Sequence, residues 1–207
     1  MLQQLLPERH PVNIETSRNP IKLLPLIESA KGLLNLQTIC ASSPYIDGLV
    51  FAAEDFTLDL GITRTDSFPE LLYARSHIVT VARAFRLESI IDMVCTSYRG
   101  AEGQVILRSE SITGRNLGFN GKQCIHPAQV EQVQQTYSPD RKQLEWAVRV
   151  TVADEKAKRA GKGAWSLDGK MIDAPVVKTA VGIVERARAC DMDVAELLSK
   201  FADQEPE

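Results

Sequence analysis

The 207-residue chain reads as an α/β protein built on a parallel sheet. Short apolar runs alternate with helix-period stretches over about residues 21–138. Their spacing of roughly 30–40 residues leaves room for the helical crossovers that parallel neighbours need. With 44% hydrophobic and 25% charged residues, the chain has a globular composition and can bury a core without disulfide or metal staples.

Residues 1–20 are a polar stub in which residues 2–6 form at most a short helix stopped by Pro7. Ile21–Glu28 is the first predicted strand, short and apolar and closed by a carboxylate; Pro25 is its least strand-like residue. Ser29 is placed to cap a helix to about Ile39, with Ala30, Leu33, Leu34 and Ile39 near helical spacing. After Asp47-Gly48, the run Leu49–Asp55 reads as a second strand and again ends in acid. A polar loop with Gly61 leads to a helix over 69–85, with Leu72, Ile78, Val79, Ala82 and Phe85 on one side. Ser89–Cys95 is the third strand, 101–117 the third helix, and Gly118–His126 a shorter fourth strand. Pro127 suits the first position of the helix that follows.

From residue 139 the pattern changes. Ser138-Pro139-Asp140 opens a long amphipathic helix from Arg141 to about Ala160, closed by Gly161-Lys162-Gly163. A loop over 164–173 precedes two last helices at 174–189 and 193–202, with no further strand expected. The predicted organisation is a stub (1–20), a partial α/β region (21–138) and a helical appendage (139–207).

Twenty-four basic against twenty-seven acidic residues give a net charge of −3, without the basic excess of a nucleic-acid binder. Cys40, Cys95, Cys124 and Cys190 are too scattered for a CxxC pair and read as reduced, buried small hydrophobes. No apolar run approaches the roughly 18 residues of a membrane span, and the N-terminus is neither a signal nor a transit peptide. There is no GxGxxG, and Gly118-Phe-Asn-Gly-Lys122 is too short for a Walker A loop, with no Ser or Thr after the lysine.

Chemistry concentrates in the carboxylates. Glu28 and Asp55 each close an apolar run, one strand–helix unit apart, and strand C-termini of a parallel sheet gather at one edge. Two hard oxygen donors without a neighbouring His or Cys suit Mg²⁺; from pattern alone they suit the first turns of helices better, where acids offset the dipole. Glu54 competes with Asp55 as the inward residue, because strand neighbours face opposite sides. His126, between Ile125 and Pro127, is either a ligand contact or a structural strand-end residue. Asp173, before Ala174-Pro175, reads most simply as a helix N-cap. His10 and His77 carry no context, and Lys156, Lys158, Arg159 and Lys162 form a solvated helix face.

Five strings taken together resemble one family. They are Pro25-Leu-Ile-Glu-Ser-Ala-Lys-Gly-Leu33, Ala53-Glu-Asp-Phe56 with Gly61, Leu72-Tyr-Ala-Arg-Ser76, Gly118-Phe-Asn-Gly-Lys-Gln-Cys-Ile-His-Pro127 and Gly169-Lys-Met-Ile-Asp-Ala-Pro175. In this order they resemble the citrate lyase beta subunit and its stand-alone relatives, the malyl-CoA and citramalyl-CoA lyases, within the HpcH/HpaI aldolase superfamily. The resemblance implies a TIM-type (β/α)₈ barrel with Mg²⁺ at its C-terminal face, held by Glu28 and Asp55, with Glu28 also bordering the substrate. It implies that Ile125 and His126 line the acyl-CoA site. Asp173 matches the catalytic acid that the family carries on a C-terminal lid, typically into a neighbouring subunit of a homo-oligomer, a trimer by resemblance. The implied reaction is reversible Claisen-type cleavage of a 3-hydroxyacyl-CoA into acetyl-CoA and a 2-oxo acid such as glyoxylate or pyruvate. A mitochondrial setting is implied in the same way.

A barrel of this type needs about 250 residues and eight strands. The sequence carries about four βα units followed by the lid, so the N-terminal strands, with the arginine that grips the substrate carboxylate, are expected to be missing. The segment after the third strand also departs, reading Thr96-Ser-Tyr-Arg-Gly100 where relatives often show an acid. Two expectations follow: a Mg²⁺-dependent CoA-thioester lyase, or a truncated, inactive relative serving as an interaction or regulatory subunit.

Overall fold

Four apolar runs form a parallel sheet in chain order: β1 (Leu26–Ile27), β2 (Gly48–Phe51), β3 (Ser89–Asp92) and β4 (Gly121–Lys122). The computed structural model describes residues 21–207, so the predicted stub at 2–6 lies outside the described residues. Around the strands run α1 (Ala30–Leu34), α2 (Leu36–Ala41), α3 (Ala53–Leu60), α4 (Leu72–Ala84), α5 (Gly100–Leu117) and α6 (Val130–Tyr137). The chain divides into two compact units, one ending at Val133 and one spanning Gln134–Glu207.

The strands are shorter than the runs that predict them. Ile21–Glu28 contributes two strand residues and an isolated bridge from Leu23 to Ile46, while the Pro25 carbonyl accepts from Val50 N at 3.0 Å. Ser29 caps α1 as expected, its Oγ accepting from Gly32 N at 3.1 Å, but the helix predicted to Ile39 breaks at Asn35. The larger correction is at Leu49–Asp55. The strand stops at Phe51 and α3 begins at Ala53, so Asp55 lies in the first turn of a helix, not at a strand end. Ala53 and Glu54 are strong helix formers, a preference hidden behind the apolar run.

Register divides the sheet into two faces. Ile27, Leu49, Phe51, Ile90 and Asp92 form one face and are at most 1% exposed. Leu26, Val50 and Ile91 form the other, where Leu26 is 55% exposed. Helices cover the first face. Arg75 of α4 donates from Nε to Asp92 Oδ1 at 3.1 Å and from Nη2 to Oδ2, and its guanidinium lies 4.8 Å from the Phe68 ring centroid. Both residues are buried, so each charge depends on the other. Gly48 permits the close approach of β2 to β3: a Cβ there would meet the Ser89 carbonyl oxygen at 2.4 Å.

The second unit is built on α7 (Arg141–Arg159), α8 (Ala174–Ala189) and α9 (Val194–Lys200). Asp140 and Gln143 form a capping box at the start of α7. Contrary to the expectation of no further strand, β5 (Trp165–Leu167) and β6 (Lys170–Ile172) pair as an antiparallel hairpin across Asp168-Gly169, both at positive φ. Arg149 grips Asp168 with two bonds of 2.7 and 2.8 Å. Trp165, Leu167 and Ile172 bury their side chains among Leu144, Val148 and Val184.

Candidate functional site

Parallel strands deliver their C-terminal ends to one edge of the sheet. Ala52 N donates to Ile27 O at 3.1 Å, which sets the exit of β2 beside the exit of β1. Glu28 directly follows β1 and is exposed; Asp55, also exposed, is in the first turn of α3. Asp59 stands one turn beyond Asp55 on the same helix face. Its Oδ2 accepts from Ala30 N at 2.8 Å, so this face of α3 lies against the turn that begins with Glu28.

Arg64 separates the roles of Glu54 and Asp55. It donates from Nη1 to Glu54, and from Nη2 to Val94 O and Glu110 Oε1, both at 3.1 Å. Lys122 Nζ, wholly buried, donates to Glu110 Oε2 at 2.9 Å. Two acids and two bases are thereby matched, which the burial of Glu110 and Lys122 requires. Glu54 is committed to this network, whereas among the described residues no hydrogen bond or ion pair engages the side chain of Glu28 or Asp55. A cavity of about 660 Å³ opens beside the network, bounded by Glu54, Arg64, Phe68, Thr96, Ser97 and Glu110. Burial, reinforced by the nearby Glu110 charge, pushes the Cys95 thiol above its ordinary range.

Among the described residues, no group of three or more His, Cys, Asp and Glu side chains is gathered as a metal centre. A cation held here would rest on two carboxylates and complete its shell with water or substrate oxygens. Mg²⁺ accepts that donor set.

At the exit of β4, the expected strand to His126 is only Gly121–Lys122. Ile125 is 54% exposed, and its N–H donates to Gln129 Oε1 at 2.9 Å. His126 Nδ1 accepts from Ala128 N at 3.2 Å, capping the turn that Pro127 begins, and its ring stacks on Tyr98 with centroids 4.9 Å apart. Gln123 Nε2 donates to Phe51 O at 3.0 Å, tying the ends of β4 and β2. Glu28, Asp55, Ile125 and His126 therefore belong to one unit and one sheet edge. Asp173 belongs to the second unit, where it is half-buried and caps α8, Oδ1 accepting from Val176 N at 3.1 Å. The cysteines are all free, but only Cys40 and Cys95 are buried; Cys124 and Cys190 are exposed, correcting the expectation of four buried thiols. Arg64, Glu110 and Gln129 are not legible in the sequence as site residues, because Arg64 meets Glu110 across 46 residues and Gln129 reaches Cys95 across 34.

A family model described as HpcH/HpaI aldolase/citrate lyase matches residues 3–127. The chain belongs to the HpcH/HpaI aldolase/citrate lyase family. Within it, the mitochondrial citramalyl-CoA lyase of Homo sapiens is 37% identical over 176 residues, covering 81% of this chain and 51% of its own length. The citrate lyase subunit beta of Leuconostoc mesenteroides subsp. cremoris is 37% identical over 167 residues, covering 81% of this chain and 54% of its own. The chain thus spans about half the length of these relatives. The crystal structure of protein CitE from Mycobacterium tuberculosis, in complex with magnesium, acetoacetate and coenzyme A, superposes with a TM-score of 0.65 at 29% identity. That match covers 84% of this chain and 63% of CitE.

Proposed function

We propose that this chain carries the metal-binding part of a Mg²⁺-dependent carbon–carbon lyase acting on a 3-hydroxyacyl-CoA such as citramalyl-CoA or malyl-CoA. The observation that supports it best is the pair Glu28 and Asp55, which leave adjacent parallel strands at one edge without a protein partner among the described residues. On this reading the four-stranded sheet is a portion of a (β/α)₈ barrel, and the second unit is its lid. The magnesium, acetoacetate and coenzyme A bound by CitE support these chemical classes of ligand for the present chain.

Glu28 and Asp55 would hold the cation, which supplies Lewis acidity to the hydroxyl and carboxylate oxygens of the acid half. Cleavage breaks the bond between the carbinol carbon and the thioester α-carbon; the hydroxyl passes its proton to water and becomes the oxo group of the 2-oxo acid. The thioester enolate takes a proton at carbon. Asp173 gives that proton in cleavage and removes it in synthesis, after exchanging its bond to Val176 N for substrate. Ile125 and His126 border the thioester, and Glu28 also faces the acid half. The assembly is a homo-oligomer in this reading, with a mitochondrial setting as for the human relative.

A second reading has its own support: the chain covers about half of its relatives, and one sheet face carries the exposed Leu26. A relative of this kind would be inactive alone and act as an interaction or regulatory subunit. Purified chain mixed with citramalyl-CoA and Mg²⁺ separates the two. Release of acetyl-CoA, abolished by EDTA and by Asp173→Asn, supports the lyase; folded protein without turnover supports the second reading.

A further inference from the structure

Resting on that reading, we propose that Gln129 is a positioning residue: it fixes the Ile125–His126 segment against the turn after β3, and so sets the wall on which the thioester rests. Sheet pairing holds β4 only through Lys122, with one further bond from Gln123 N to Asp92 O at 3.0 Å. Ile125 and His126 lie beyond the ladder, yet they carry the proposed contacts. Gln129 closes this gap from the side. Its side chain is fully buried, Oε1 accepts from Ile125 N at 2.9 Å, and Nε2 donates to Cys95 O at 2.8 Å. One partner is a donor and the other an acceptor, so only one orientation of the amide satisfies both.

Its backbone joins the same structure, since Gln129 N donates to His126 O at 3.0 Å. Cys95 opens the turn that carries Tyr98, and Tyr98 is the ring on which His126 stacks. The amide therefore ties both members of the stack to one buried point. In the turn that Gln129 holds, the Ala128 N–H is directed at His126 Nδ1, which makes that nitrogen the acceptor and leaves Nε2 to donate. No other residue bonds to both the β3 exit and Ile125 among the hydrogen bonds of the described residues.

The test is NMR on the full chain with ¹⁵N-labelled histidine and backbone, together with an acetyl-CoA titration. The unsubstituted chain is expected to show a slowly exchanging Ile125 amide and His126 ring shifts of the Nε2-protonated form. Gln129→Met keeps the volume and removes both bonds. It should retain the helical circular-dichroism spectrum while the His126 shifts move toward averaging of the two tautomers, and the acetyl-CoA Kd should rise about tenfold, the scale of one lost hydrogen bond. Gln129→Glu keeps an acceptor for Ile125 N but sets a buried carboxylate against Cys95 O, so it should lose at least as much as Gln129→Met. A folded Gln129→Met chain with unchanged His126 shifts and Kd overturns the proposal. So does free exchange of the Ile125 amide in the unsubstituted chain, which can be read even if both variants fail to fold. If the unsubstituted chain does not bind acetyl-CoA, the lyase reading fails, while the His126 and Ile125 signals still decide the role of Gln129.

Discussion

The two faces of the four-stranded sheet are made of alternate residues on the same strands, but they are unequal. On the helix side, Ile27, Leu49, Phe51 and Ile90 are at most 1% exposed, and even charge is sealed in, as Arg75–Asp92 and Lys122–Glu110. On the other side Leu26 is 55% exposed, and Val50 and Ile91 are half-buried. Parallel sheets are ordinarily covered on both faces. The contrast shows where the stability of this unit resides: in the helix-facing layer, whose buried charges demand their partners. The open face adds little in the described residues and matches the interior face that the proposed barrel portion would present.

The sharpest way to break this comparison is to remove one member of a sealed ion pair. Arg75→Leu leaves Asp92 buried and unpaired and should cost about 3–5 kcal/mol in urea unfolding, with much of it recovered in the Arg75→Leu/Asp92→Leu double variant. A smaller effect compares chain neighbours on opposite faces. Ile27→Ala should cost about 2–4 kcal/mol, because a fully buried side chain leaves a cavity. Leu26→Ala should stay within about 0.5 kcal/mol. Equal losses at the two positions would mean that the open face is covered in solution.

The smallest effect lies in the second unit. The Arg149 guanidinium forks onto Asp168 and holds its carboxyl below the usual range. Because the folded-state value is depressed, the pair stabilises above the unfolded pKa, and that contribution fades as pH falls through the folded one. Arg149→Met should return the Asp168 pKa upward in carboxyl-detected NMR and remove that low-pH dependence; an unmoved pKa would show that the fork does not persist in solution.

How much of this is legible in the sequence depends on sequence distance. The parallel order, the Ser29 cap and the helix after Pro69 follow from local pattern, since periodicity and caps are short-range. Asp55 reads as a strand residue because Ala52-Ala53 extends an apolar run while starting a helix. The β5–β6 hairpin escapes a reading by periodicity although Asp168-Gly169 between apolar runs is itself a turn signal; three-residue strands give the pattern too little length to register. The Arg64–Glu110–Lys122 network and the Gln129 clamp have no local signature, as their partners meet only after the sheet assembles.

The lyase reading rests on the two unpaired carboxylates at the sheet edge, and calorimetric titration of the chain with Mg²⁺ tests it most directly. One ion should bind, with Glu28→Gln and Asp55→Asn each weakening it by at least about 10–100-fold, the range seen even for residues that only orient ligands. Glu54→Gln should weaken it far less, because Glu54 is held by Arg64. No binding by the folded chain, or a loss at Glu54 equal to that at Asp55, would contradict the assignment.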